Sequence, residues 1–168
     1  ISTIRNGSRI FIGSGCGEPR HLIHTLVGNR NLSDIMVFQM LAHTLADYLE
    51  DQFFLERFSV KLFFVSIAMQ QAAFEGKVDY IPTYLSQLPQ LFRNKQIGID
   101  TVLIQISPPD SFGIASLGVS VDVTLEAVRN AKTVIAQINP RMPRTHGDGF
   151  LHINDIDYLV PYEEELIG

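Results

Sequence analysis

Short apolar runs alternate with amphipathic stretches along the whole chain, and the alternation predicts a sequence of elements. Arg9 to Gly13 (RIFIG) reads as a buried strand. A glycine-rich turn follows, then a helix from Glu18 to Val27 with Pro19 suited to its first turn. Ile35 to Leu41 (IMVFQML) and Lys61 to Ser66 (KLFFVS) read as further strands. Ala68 to Glu75 predicts a helix stopped by Gly76. Asp79 to Pro82 is short and extended, and Leu85 to Arg93 predicts a helix that Pro89 starts or kinks. Thr101 to Ser107 (TVLIQIS) is the clearest strand: β-branched, apolar and ended by Pro108-Pro109. Thr124 to Ala131 predicts a helix with Asp122 as its cap. Thr133 to Asn139 (TVIAQIN) and Asp155 to Val160 predict the last strands. Ile1 and Ile4 read as the end of a helix stopping at Asn6-Gly7, as if the chain were entered in mid-element.

Continuous apolar strands alternating with helices imply an α/β fold, a mostly parallel open sheet with helices on both faces. Residues 1–168 suit one domain. Sheets of this kind place their ligand crevice at the carboxyl ends of the strands. The Gly- and Pro-rich turns fall there: 14–19, 107–118 and 139–149. They are expected to converge.

Composition narrows the classes. Apolar residues make up 46%, charged residues 18%, and the net charge is -5, with Lys and Arg spread thinly. That argues against nucleic-acid binding, which needs clustered cations. No run reaches the roughly 20 apolar residues of a membrane span, and the start is not a signal peptide. Cys16 is the only cysteine, which excludes an internal disulfide and fits a reducing cytoplasm.

Three loops carry candidate chemistry. In Gly13-Ser14-Gly15-Cys16-Gly17-Glu18-Pro19, glycines let backbone amides approach a ligand, and the following helix start favours an oxyanion or diphosphate. A ligand-free tight turn is the alternative. Cys16 reads as a nucleophile or as a small residue that fits the turn. Pro108 and Pro109 stiffen the second loop, which carries Ser116 and Gly118 towards substrate or serves as a rigid connector. In Asn139-Pro140-Arg141-Met142-Pro143-Arg144-Thr145-His146-Gly147-Asp148, the arginines suit a carboxylate or phosphate, or a salt bridge. His146 with Asp148, and His21 with His24, lack the further ligands a metal site needs. Phe53, Phe54, Phe58, Phe63 and Phe64 read as core or as the cover of a partner domain. Glu163 to Glu165 reads as a solvated acidic tail.

Four stretches, RIFIGSGCGEP, DYIPTYLSQLP, ISPPDSFGIASLGVSVDV and NPRMPRTHGDGFLHINDIDYLV, lie in the order found in one known family. The chain resembles the amino-terminal domain of the acetyl-CoA hydrolase/transferase family, which includes acetate, succinate and 4-hydroxybutyrate CoA-transferases. The resemblance implies a NagB-like α/β domain. It implies covalent catalysis by a glutamate through a glutamyl-CoA intermediate, with coenzyme A as substrate and no permanently bound cofactor. The family glutamate lies beyond Gly168, so none of this chain's residues is expected to be catalytic. A carboxyl-terminal domain is the implied partner, with acyl-CoA and a small carboxylate as ligands and a homo-oligomer as the assembly. By resemblance the substrate-lining residues are Ser14, Gly15, Cys16, Gly17, Pro108, Pro109, Ser116, Gly118, Met142 and Arg144. Related sequences often carry Arg where this chain has Gln71, which bears on substrate choice. The alternative is a non-catalytic acyl-CoA-binding or regulatory domain of the same fold.

Overall fold

Strand β1 (Arg9–Ile12) alternates its buried side chains between two faces, so one short run serves two cores. Ile10 and Ile12 join one apolar cluster and Phe11 the other. This computed structural model describes residues 1–168.

Around β1 a seven-stranded sheet forms, all pairs parallel, in the order β4-β3-β2-β1-β5-β7-β9. Its strands are β2 (Ile35–Gln39), β3 (Phe58–Leu62), β4 (Asp79–Tyr80), β5 (Thr101–Ile106), β7 (Thr133–Ile138) and β9 (Tyr158–Pro161). A separate antiparallel pair joins β6 (Ile114–Ser116) to β8 (Phe150–His152). The helices are α1 (Arg20–Gly28), α2 (Gln52–Leu55), α3 (Gln70–Phe74), α4 (Leu88–Arg93) and α5 (Thr124–Asn130). Leu22, Ile23 and Leu26 of α1 cover one face, while Leu88 and Phe92 of α4 and Ala127 and Val128 of α5 cover the other. Each large apolar side chain so buried contributes about 1.5–3 kcal/mol. The expected open α/β sheet with helices on both faces is present.

Four element expectations need correction. The third strand starts at Phe58 rather than Lys61 and ends at Leu62. Its inward residues, Phe58, Val60 and Leu62, alternate, whereas the continuous run KLFFVS continues into the next loop. The last strand starts at Tyr158 because residues 153–155 make a 3-10 turn. Pro161 lies inside that strand, which an edge position tolerates. Ile1 to Ile4 is a turn closed by the Ile4 amide on the Ile1 carbonyl, and it buries Ile4 instead of ending a helix. Glu164 is not solvated, as described below. Asp122 does act at the start of α5: its Oδ1 accepts from the Thr124 amide and hydroxyl at 2.9 and 2.8 Å.

Phe54, Phe58 and Phe63 are buried, while Phe53 and Phe64 are exposed. Arg57 is buried beside Phe53 and Phe58, its guanidinium 4.1 and 5.0 Å from their rings. It donates to the carbonyls of Val27, Asn29, Leu32 and Phe53, which ties α2 to the end of α1.

Candidate functional site

The strand order reverses between β1 and β5, and the crevice rule for open α/β sheets points to the carboxyl ends of those two strands. The loop after β1 carries the glycine turn, and the loop after β5 carries Pro108 and Pro109. The third loop follows β7, next in the sheet. The three expected loops therefore leave the same end of the sheet.

They also touch. Ser120 Oγ donates to the Ser14 carbonyl, and a Cβ on Gly17 would lie 2.6 Å from Ser120 Cβ. Ser116 is fully buried, and its hydroxyl accepts from the amides of Gly118 and Thr145 at 3.0 and 3.2 Å. Thr145 Oγ1 returns a bond to the Gly118 carbonyl at 3.0 Å. Gly118 has φ +61, and a Cβ there would meet Met142 Sδ at 2.2 Å and the Pro143 carbonyl at 2.8 Å. The β6–β8 pair completes the link between the second and third loops. Sequence reading missed that pair because three-residue strands carry no readable period.

Several candidates are thus engaged within the protein. Met142 is buried against Gly118. Arg144 donates to Asp110 at 2.8 Å and to the Ile114 carbonyl at 2.7 Å. The amide of Ile114 above all, then the Phe112 amide and the Arg144 guanidinium, hold the Asp110 carboxyl below its ordinary value. Ser14 Oγ accepts from the Met40 amide. Gly15 takes φ +57 and donates to Leu41, and the Gly17 amide donates to Ser14. The exposed Cys16 has a free thiol, and its backbone amide donates to no protein acceptor. Pro108 is exposed and Pro109 half-buried.

The sequence marks Glu18 as a helix start, yet it organises this end of the sheet. It is 1% exposed. Its Oε1 accepts from Gln39 Nε2 at 2.8 Å and the His43 amide at 2.7 Å, and its Oε2 accepts from the Thr44 amide at 2.8 Å. A buried carboxylate persists only with such donors. The Glu18 carbonyl accepts from Gln105, whose Oε1 accepts from Asn139 at 2.6 Å. Asn139 also donates to the Glu164 carbonyl. Glu164 Oε1 then accepts from Gln137 at 2.6 Å and from the Arg20 amide at 3.1 Å. The polar residues ending β2, β5 and β7 therefore form one network, with glutamines placed inside otherwise apolar strands as its signal.

This network revises one expectation. Glu164 already occupies the amino end of α1, where a ligand anion was expected, and Glu163 and Glu165 pair with Arg141. The amides of Ser14 and Cys16 on this loop donate to no protein acceptor, and of the two residues Cys16 is the exposed one. His21 stacks on Tyr162, His24 bonds to Tyr48, and no cluster of three or more His, Cys, Asp or Glu side chains suits a metal ion. No helix is long and apolar enough to cross a membrane.

Residues 1–168 match the family model of the acetyl-CoA hydrolase/transferase N-terminal domain end to end. The chain belongs to this family. Among relatives of this acetyl-CoA hydrolase/transferase domain, a 4-hydroxybutyrate coenzyme A transferase of Clostridium kluyveri is 38% identical over 168 residues, covering 99% of this chain and 39% of that protein. A succinyl-CoA:acetate/propanoyl-CoA:succinate CoA transferase of Fasciola hepatica is 38% identical over 159 residues, covering 93% of this chain and 33% of that protein. The crystal structure of RipA from Yersinia pestis superposes with TM-score 0.89 at 28% identity, over 99% of this chain and 41% of that one. The acetyl-CoA hydrolase/transferase domain described here thus spans well under half the length of these relatives.

Proposed function

We propose that the chain is the amino-terminal part of an acyl-CoA transferase or hydrolase that moves CoA between carboxylic acids, with the reacting glutamate supplied by the rest of the protein. The observation that carries this reading is the unpartnered Cys16 amide on a glycine turn at the strand-order reversal, where three loops meet.

In the proposed cycle the glutamate attacks the acyl-CoA carbonyl. The C–S bond breaks, giving a mixed anhydride and CoA thiolate. The thiolate attacks the glutamyl carbonyl and releases the acyl group as a carboxylate, leaving glutamyl-CoA. An acceptor carboxylate reverses the two steps and takes the CoA, or water releases it. CoA is a substrate here and no resident cofactor takes part. Each addition builds negative charge on a carbonyl oxygen, and the N–H of the exposed Cys16 is offered to it as a donor. Such a donor contributes about 3 kcal/mol in the transition state. Ser14, Gly15 and Gly17 hold that donor in place, while Pro108 and Pro109 line the facing wall. Ser116, Gly118, Met142 and Arg144 keep the loops together.

The test is thiol release and CoA transfer from acetyl-CoA and succinyl-CoA. The full-length polypeptide turns over and residues 1–168 alone do not. Strong turnover by residues 1–168 refutes the division of labour. In the full-length protein, Cys16→Pro removes the amide donor, whereas Cys16→Ala removes only the thiol. Turnover by Cys16→Pro is expected about 100-fold below that of Cys16→Ala. Equal rates refute the donor assignment.

A further inference from the structure

At the amino ends of the parallel strands, the sheet end away from the three loops, three cations meet. Arg9 opens β1, Lys132 directly precedes β7, and Lys95 stands in the turn after α4. With Asp100 they line one cavity of about 440 Å³, to which Phe92, Ile97 and Ile99 give the apolar lining. In a chain of net charge -5, three cations against one carboxylate reverse the sign locally. Only one of the three cations has a partner. Lys132 Nζ bonds to Asp100 Oδ1 at 2.7 Å, and the Arg9 amide donates to Asp100 Oδ2 at 2.9 Å, so both carboxylate oxygens are engaged. The Arg9 guanidinium and the Lys95 ammonium make no hydrogen bond or ion pair within the protein. Helix ends often hold cations by their last carbonyls, but those of α4 and α5 are already taken. Gln90, Leu91 and Phe92 accept from the amides of Asn94, Ile97 and Lys95, and Glu126 and Val128 accept from the Asn130 side chain and the Ala131 amide.

The cavity wall also carries unused backbone donors. The amides of Gly98 and Ile99 donate to no protein acceptor, although Ile99 is only 4% exposed. Such unpaired amides are rare at buried positions. The Arg9 guanidinium lies against the same segment: a Cβ on Gly98 would stand 3.5 Å from its Nη1. Two cations and two N–H groups on one cavity thus make a donor set without an acceptor. A guanidinium takes two oxygens of an anion at once, an ammonium adds a compact point charge, and backbone N–H groups complete many anion sites. A phosphate, with three oxygens on one face and up to two charges, uses all of these donors, whereas a carboxylate would be spent on the guanidinium alone. The volume leaves room for a carrier beside the phosphate. We infer that this cavity binds a small phosphorylated metabolite by its phosphate, with Arg9 and Lys95 as the cations and the 98–99 segment as the N–H donor. The inference is independent of the CoA-transfer reading.

Hydrogen–deuterium exchange of the polypeptide encoded by the complete gene, read by mass spectrometry, tests this with inorganic phosphate as the probe. Amides without an acceptor exchange quickly, and a bound anion slows them. Millimolar phosphate is expected to slow exchange over residues 96–99 by about fivefold or more, relative to sodium chloride at the same ionic strength. The double variant Arg9→Gln/Lys95→Gln keeps every bond described above, so it folds with the wild-type urea midpoint and loses the slowing. Unchanged exchange in the wild type overturns the inference. So does equal slowing in the double variant, which places the anion elsewhere, or equal slowing by chloride, which reduces the effect to screening. Slowing by CoA that inorganic phosphate does not reproduce also overturns it, because it assigns the cavity to the phosphates of CoA.

Discussion

Replacing Glu18 with Gln keeps the side chain's shape but removes its charge and one acceptor. The carboxylate receives three N–H bonds inside the protein, at 2.7–2.8 Å, with 1% of the residue exposed. With the new amide oxygen in the Oε1 position, the bonds from Gln39 and His43 survive as neutral ones, each weaker by about 1 kcal/mol. The new NH2 group then faces the Thr44 amide, so two donors are buried without acceptors, at about 1–3 kcal/mol each. The sum is a destabilisation of about 4–8 kcal/mol, a large share of the roughly 5–15 kcal/mol that holds a domain folded. Urea unfolding followed by far-UV circular dichroism, with wild type and variant compared at equal slope, measures it. Glu164→Gln is the control, because its carboxylate receives only two backbone or amide bonds at a less buried site and should cost about 1–2 kcal/mol. A Glu18→Gln variant within 1 kcal/mol of wild type, or no worse than Glu164→Gln, would refute the claim that Glu18 organises the crevice.

Two further outcomes are expected. Gly118→Ala forces a side chain into φ +61 and against Met142 and Pro143, costing about 2–5 kcal/mol in the same unfolding measurement. Adding Met142→Ala should lower the increment without abolishing it, since the Pro143 carbonyl and the backbone angle remain; full rescue would show that the sulfur contact alone was at fault. Asp110 has a depressed folded-state value, so its stabilisation is complete above the ordinary value of 3.8 and is lost as pH falls below it. Asp110→Asn should therefore flatten the acid limb of the stability profile below pH 3.8, and an unchanged limb would exclude this loop as a source of acid sensitivity.

Apolar period and punctuation made the α/β class and most elements legible from the chain itself. TVLIQIS and TVIAQIN are uniform apolar strands bounded by proline, and both fall within a residue of their predicted ends. The glycine turn was legible because the backbone needs positive φ at Gly15. Continuous runs without alternation are less informative, which is why KLFFVS points to a strand start three residues later than Phe58. Only tertiary structure decided what the site residues do. Glu18, Gln39, Gln105, Asn139 and Glu164 are far apart in sequence, and nothing local distinguishes a buried, fully bonded carboxylate from an exposed one. The acidic tail shows the same limit: composition predicts a solvated run, whereas strand order brings Glu164 onto the start of α1, where backbone donors hold it. Sequence periodicity encodes which face of an element is apolar, a local property. Hydrogen-bond partners and the exposure of side chains such as Phe74 and Tyr84 depend on which elements become neighbours, and that is settled only when the sheet assembles.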